Sequence, residues 1–253
     1  MKTYKLIIGF ILITGIIIIG KSNQTRSLID FASNISTLTT EQNEKRVICI
    51  DPGHQLKGDS NTEPIAPNSG SYKIRVSSGT AGIATKKPEY EVNLEASLKL
   101  KQILEDRGYK VLMTRESHDV NISNMERAVF ANEKNVDMVV RIHCDGSDNT
   151  SITGASILIP AEDNQCTSPI FEDSSSCAKY VHECMKNDGF KVNGVFQRND
   201  LTGFNWSKVP VILVEMGFMS NYTEDKNMAS PEYQQKMMNS IAYGLDQYFK
   251  NKK

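Results

Sequence analysis

The sequence predicts an α/β fold built on a largely parallel β-sheet, and three observations carry that prediction. Four short apolar runs rich in β-branched residues, 47–50, 110–113, 138–142 and 211–214, have the near-continuous apolar character of strands buried on both faces. Helical patterns lie between them, so strands and helices alternate, as a parallel sheet with crossover helices requires. The stretch they occupy, 46–253, is of single-domain length.

The segment before that domain has a different character. The fifteen residues between Lys5 and Lys21, LIIGFILITGIIIIG, carry no charge. At about 1.5 Å per residue they reach roughly 22 Å, short of the ~30 Å hydrocarbon core and typical of the apolar stretch of an export signal. Lys2 and Lys5 precede the run and keep the N-terminus on the cytoplasmic side, which sends the remainder across the membrane. Gly20-Lys21-Ser22 is a poor small-x-small cleavage site. Residues 1–20 are therefore expected to be a signal peptide or, by preference, an uncleaved signal anchor. Residues 21–45, rich in Ser, Thr, Asn and Gln, read as a polar extracytoplasmic linker. The domain 46–253 is then expected outside the membrane, in the cell envelope, either anchored to the outer face of the cytoplasmic membrane or secreted.

Within the domain, the strand at 47–50 comes first. Pro88 suits a first helical turn, and Val92, Ala96, Leu100, Ile103 and Leu104 follow at four- and three-residue spacing until Gly108 stops the helix. The strand at 110–113 leads to a helix over 123–135, and the strand at 138–142 leads to a further strand at 154–160 (GASILIP). A helix over 174–185 precedes the strand at 211–214. A long helix over 231–249 closes the domain, with Tyr233, Met237, Ile241 and Leu245 on one face.

Composition narrows the function classes. Hydrophobic residues make up 39% and charged residues 23%, which excludes wholesale disorder and a polytopic membrane protein. Five basic and three acidic side chains fall within residues 1–45, leaving 24 and 27 on the domain, so a nucleic-acid partner is not expected. The five cysteines, Cys49, Cys144, Cys166, Cys177 and Cys184, form no CxxC pair of the kind that builds structural zinc sites. Cys49 and Cys144 read as free buried thiols inside apolar runs, whereas Cys166 and Cys177 flank a loop and could bridge.

The chemistry is concentrated where strands end. Asp-Pro-Gly-His54 follows the first strand, His143 the third and Glu215 the last of the four runs. In a parallel sheet all three emerge at one carboxyl edge, where open α/β proteins place their sites. Two histidines and a carboxylate form a recurrent catalytic zinc set with a fourth position for water. Of the other histidines, His118 sits in a polar loop and reads as a surface residue, and His182 begins HECMK, which lacks the second histidine of a zincin motif. Glu215, between VILV and MGF, is costly to bury unless it is paired, bound to metal or used. Glu89 and Glu91 lie near a helix start, where either could simply complement the helix dipole.

Six blocks, IDPGH (50–54), PEYEVNL (88–94), GYKVLMTR (108–115), ERAVFAN (126–132), RIHCDGS (141–147) and VEMGFMSN (214–221), occur in an order that resembles the catalytic domain of zinc-dependent N-acetylmuramoyl-L-alanine amidases, over about residues 46–250. The resemblance implies a twisted, mostly parallel β-sheet flanked by α-helices. It implies one zinc ion with His54, Glu89 and His143 as its ligands, which selects Glu89 over Glu91, and Glu215 as the catalytic carboxylate. The implied substrate is peptidoglycan or a muropeptide, cleaved between the lactyl group of N-acetylmuramic acid and L-alanine. Targeting to the wall is then expected from the N-terminal membrane segment, the domain itself or a protein activator. Other readings are a zinc peptidase acting on muropeptides, a catalytically inactive peptidoglycan-binding module tethered to the membrane, and, least suited to two strand-end histidines, a two-carboxylate glycosidase.

The chain departs from the family pattern in three places. Gln55 follows His54, and 34 residues intervene before Glu89, an insert long enough to form a wall or lid of a substrate groove. Arg141 and Cys144, beside His143, replace residues that are usually small in the family. Cys144 is expected to point away from the metal, because neighbouring strand residues face opposite ways. For Arg115, Arg127, Asn132 and Asn221 a structural hydrogen-bonding role is expected.

Overall fold

The computed structural model describes residues 45–252. The expected export segment, and the linker apart from Lys45, lie outside the described residues. Among those residues no helix is long and apolar enough to cross a membrane.

In chain order the elements are β1 (Val47–Pro52), β2 (Asp59–Pro64), β3 (Tyr72–Val76), α1 (Glu89–Asp106), β4 (Lys110–Met113), α2 (Asn124–Glu133), β5 (Met138–Asp145), β6 (Ala155–Pro160), α3 (Ser168–Asn187), β7 (Val192–Arg198), α4 (Thr202–Asn205), β8 (Val211–Phe218), α5 (Tyr222–Met228) and α6 (Pro231–Asn251). Six strands form one sheet in the order β4-β1-β5-β8-β6-β7. The first four are mutually parallel, β6 runs antiparallel to β8, and β7 runs parallel to β6. The expected α/β layer architecture with a mostly parallel sheet is therefore the one observed.

Local chemistry sets the helix limits. Pro88, extended at φ −67°, precedes α1, and Glu89 and Glu91 occupy its first turn. Ser123 and Glu126 form a reciprocal capping box on α2. Helix α3 begins six residues earlier than the apolar periodicity shows, because Pro169 suits an opening turn. The periodicity also misses β7, whose partly exposed residues lie at the sheet edge.

Alternation along the strands separates two cores. On one face Ile48, Ile50, Val140, Ile142, Ile212 and Val214 pack beneath α1, α3 and α6. On the other, Cys49, Val139, Val211, Leu213 and Leu158 meet Ala131 of α2 and Phe204 of α4. Toward the carboxyl edge the rows of this smaller core turn polar: Cys49 gives way to Asp51, Val139 to Arg141 and His143, and Leu213 to Glu215.

Asp51 is 1% exposed and lies in register with Arg141. Its Oδ1 accepts from Arg127 Nη1 at 2.8 Å and from the Thr114 hydroxyl, and its Oδ2 accepts from Arg141 Nε at 2.7 Å. Burial opposes the charge, but the two guanidinium groups and the hydroxyl prevail and hold the carboxyl well below the usual carboxylate range. The same guanidinium groups reach the loop beyond β1. Arg127 donates to Pro52 O and His54 O, and Arg115 donates to Pro52 O and Gly53 O. Arg115 and Arg127 thus have the structural role expected of them. So do Asn132, which bonds Trp206 O and Lys208 N, and Asn221, whose side chain caps α5.

The 55–88 insert contains an antiparallel hairpin, β2 with β3, rather than a bare loop. Turn residues separate its short strands, and their mixed polarity gives no apolar alternation to read. All five cysteines are free. The bridge between Cys166 and Cys177 does not form, because Cys177 sits fully buried nine residues into α3, roughly 14 Å along the helix from its start, beyond the ~7 Å Cα limit.

Asp51→Asn should lower stability near neutral pH by about 3 kcal/mol, because it leaves buried guanidinium charge unanswered. A depressed folded pKa places this contribution above the unfolded value of about 3.9, with loss as pH falls through the folded value. Urea unfolding of both proteins from about pH 7 to about pH 2 should show the gap closing on the acid side. A gap constant across that range would mean that Asp51 is not charged in the folded protein.

Candidate metal centre

Three segments converge at the carboxyl edge. His54 sits in the loop after β1 with φ 59°, a left-handed conformation uncommon for a residue other than glycine. The carbonyl hydrogen bonds from Arg115 and Arg127 to residues 52–54 hold that turn. His143 and Glu215 are direct neighbours in register on β5 and β8, so both side chains leave the same face. Glu89 arrives from the first turn of α1 and is 3% exposed.

The Glu89 Oε1 atom is the hub. It lies 3.1 Å from His54 Nε2 and 3.2 Å from His143 Nδ1, and it accepts from Asn93 Nδ2 and Cys144 N, both at 3.1 Å. Oε2 accepts from Thr80 N at 3.0 Å. Burial raises the proton affinity of this carboxyl, yet the hydrogen bonds of the two histidines outweigh it and hold it well below the usual range. Burial pushes His143 down to about 4 against the pull of Glu89, so its imidazole is neutral at physiological pH. The carbonyl of Ser77 accepts a hydrogen bond from His54 Nδ1 at 2.9 Å and orients the ring so that Nε2 faces Glu89.

One ligand atom each from His54, Glu89 and His143 falls within 4.8 Å of the others, and no other such metal-holding group occurs among the described residues. Tetrahedral ligands at about 2.0–2.1 Å from one ion lie about 3.3 Å apart, close to the two separations measured here. Buried His143 Nε2 has no hydrogen-bond partner among the described residues, and neither does Glu215 Oε2. The donor set and its spacing fit a divalent cation with nitrogen and oxygen ligands.

Crowding explains two glycines. A Cβ at Gly53 would come within 2.3–2.5 Å of the His143 ring, and one at Gly79 within 2.7 Å of Glu89 Oε2. The site is therefore packed against bare backbone on two sides.

Glu215 differs from Glu89 in its surroundings. Burial pushes its carboxyl well above the usual range, the negative charges of Glu89 and Asp145 add to this, and Arg141 and Arg198 offset only part. A buried carboxyl beside a His–Glu–His group, with a raised proton affinity, is suited to exchanging protons.

The remaining candidates lie elsewhere. His118 is half-buried with its ring against Tyr90, and His182 bonds Glu183 on α3. Glu91 accepts only from the Tyr90 hydroxyl. The Cys144 thiol points to Asn93 on the larger core's face, so this residue serves Glu89 through its backbone N–H alone. Asp51 is a functional residue that no ligand motif marks, although the cost of placing a carboxylate at the end of an apolar strand, which marks Glu215, applies to it equally.

Two cavities meet at the site and share His54, Ser77, His143 and Glu215. One, of about 320 Å³, runs between the hairpin and the segment 198–203. The other, of about 1080 Å³, is a broader cleft between residues 79–86 and 144–150. The insert walls both, as expected from its length.

Comparison with known proteins agrees with this geometry. The profile of the N-acetylmuramoyl-L-alanine amidase family matches residues 48–247. The N-acetylmuramoyl-L-alanine amidase Rv3717 of Mycobacterium tuberculosis is 28% identical over 207 residues, covering 79% of this chain and 84% of its own. The germination-specific N-acetylmuramoyl-L-alanine amidase of Bacillus subtilis is 22% identical over 228 residues, covering 82% and 81%. The crystal structure of the apo form of the amidase Ami1 from Mycobacterium abscessus superposes with a TM-score of 0.73 at 27% identity, covering 81% of this chain and 98% of that one. With the family profile spanning residues 48–247, and with them every residue of the His–Glu–His group, the chain belongs to the N-acetylmuramoyl-L-alanine amidase family of hydrolases.

Proposed function

We propose that this chain hydrolyses the amide between the lactyl group of N-acetylmuramic acid and the L-alanine of a peptidoglycan stem peptide, with zinc held by His54, Glu89 and His143. The observation that carries this reading is Glu215: a buried carboxyl without a partner, in register with one histidine of the cluster, in a chain of the amidase family. Held by these three residues, zinc would supply Lewis acidity at the amide carbonyl and lower the pKa of water toward ~7, and its charge would favour the ionised form of Glu215.

The chain's own residues then divide the work. His54 and His143 present ring nitrogens, the first ring oriented by the Ser77 carbonyl and the second kept unprotonated by burial. Glu89 stays ionised and stationary because its oxygens are saturated with donors. Glu215 accepts the proton of the attacking water on a carboxylate oxygen and passes it to the departing amine of L-alanine. Asn93 and the Cys144 N–H keep Glu89 out of that exchange by occupying its Oε1.

Residues 1–20 act in this reading as a signal anchor and 21–45 as a linker that carries the catalytic domain 46–253 to the cell wall, with peptidoglycan as its partner. Support comes from the fifteen uncharged residues between Lys5 and Lys21.

Glu215→Gln should retain zinc by elemental analysis while turnover falls about a hundred- to ten-thousand-fold, whereas His54→Ala should lose both. Mass spectrometry of digested peptidoglycan should show new L-alanine amino termini for the parent protein alone. Undiminished turnover in Glu215→Gln would sink the assignment. Gly53→Ala should keep the circular dichroism of the parent yet lose zinc, since the methyl group displaces the His143 ring; full zinc content would show that the ring has another place to sit. After alkaline extraction of cells the chain should remain in the membrane fraction with residues 1–20 still attached, and an amino terminus beginning beyond residue 20 would overturn the anchor.

A further inference from the structure

The two cavities that meet at Glu215 differ in charge. In the larger cleft Asp145 and Asp148 face Lys86, among the hydroxyl groups of Thr80, Ser147 and Ser220. In the smaller cavity Lys73 and Arg198 stand at the mouth and Arg141 lies deeper, 5% exposed. Asp200 is the resident counterion at the mouth: it accepts from Arg198 Nε at 2.7 Å and Nη2 at 2.9 Å, and Lys73 Nζ lies 3.3 Å from its Oδ2. Two cations thus share one carboxylate.

Deeper in, Asp51 is likewise shared, between Arg127 and Arg141. Arg141 spends Nε on Asp51 and Nη2 on Asn124 Oδ1 at 3.0 Å. Its Nη1 lies so close to Gly203 that a Cβ there would come within 2.1 Å, and both residues line the cavity. Three cations, Lys73, Arg141 and Arg198, therefore line a walled space against two carboxylates, Asp200 and Glu215, and surplus positive charge in such a space is stabilised by an incoming anion. Ile74, Leu158 and Leu213 add apolar wall on which a peptide can pack.

The geometry points to the smaller cavity as the site that receives the peptide side of the substrate, with Arg198 and Lys73 reading a carboxylate on the stem peptide beyond the cleaved amide. The uncharged, hydroxyl-rich glycan then lies in the broad cleft, whose own charges are slightly negative. Arg198 presents a planar fork suited to a carboxylate, and Asp200 keeps that fork oriented until the substrate's carboxylate joins it or takes its place. This assignment rests on the amidase reading for the identity of the bond cleaved, but the charge asymmetry stands on the cavity alone.

The test uses two synthetic muramoyl peptides that differ only in whether the α-carboxyl of the second residue is free or amidated. The zinc-loaded protein should favour the free acid in kcat/KM by about tenfold, chiefly through KM, and added salt should shrink the preference. Arg198→Gln and, independently, Lys73→Gln should bring the ratio toward one. A parent protein that treats the two peptides alike, or a ratio unchanged in both variants, overturns the proposal. If neither peptide is cleaved, the amidase reading fails instead. Equilibrium binding of the same pair to the same three proteins then decides the carboxylate site, since reading a charge needs no turnover.

Discussion

The site depends on one buried carboxylate. Asp51 ends β1 inside the protein, and its charge is affordable only because Arg127 and Arg141, from α2 and β5, converge on it. Once there, Arg127 spends its remaining donors on the carbonyls of Pro52 and His54, and Arg115 from beyond β4 takes those of Pro52 and Gly53. Three otherwise distant segments are thereby locked to a short loop that would otherwise have unsatisfied carbonyls at the mouth of a buried site. The left-handed backbone of His54 is held by this mesh, and the nitrogen of His54 that faces Glu89 inherits its position from it.

Two glutamates at the same edge of the sheet show how burial alone decides nothing. Glu89 and Glu215 are both removed from water, but three N–H donors and two histidine nitrogens surround the first, while one oxygen of the second has no partner among the described residues. Donors lower proton affinity and desolvation raises it, so one carboxyl is fixed as an anion and the other is left ready to gain and lose a proton. The same sheet edge supplies both outcomes, because Glu215 lies within β8 whereas Glu89 begins a helix and meets backbone N–H groups from 80 and 144.

The insert between His54 and Glu89 turns an edge into a groove. Its hairpin is tied down at several points: Trp206 Nε1 donates to Pro64 O at 2.9 Å, Met125 N donates to Glu63 Oε1 at 3.0 Å, and Arg75 pairs with Glu126 at 2.9 Å. Beyond it, residues 84 and 85 donate to the buried carboxylate of Asp225 at 2.7 Å each. Both walls are thus fastened to the main body by polar contacts, and the segment that separates His54 from Glu89 in sequence also walls the two cavities in space.

Much of this was legible in the chain itself. Runs of β-branched residues mark the strands wherever both faces are buried, and polar residues placed directly after those runs identify His54, His143 and Glu215, because backbone periodicity and the cost of a buried charge act locally. The hairpin and β7 were not legible, since strands with exposed faces lack the apolar signature. Nor could spacing choose between Glu89 and Glu91, or reveal what Asp51, Arg115, Arg127 and Arg141 do. Those roles depend on which groups meet across strand register and loop contacts between residues many tens of positions apart. The sequence by itself determined the layers of the fold and the edge at which the candidate site sits; only the tertiary structure decided which donors surround each carboxylate, and with that which one has its proton affinity lowered and which one raised.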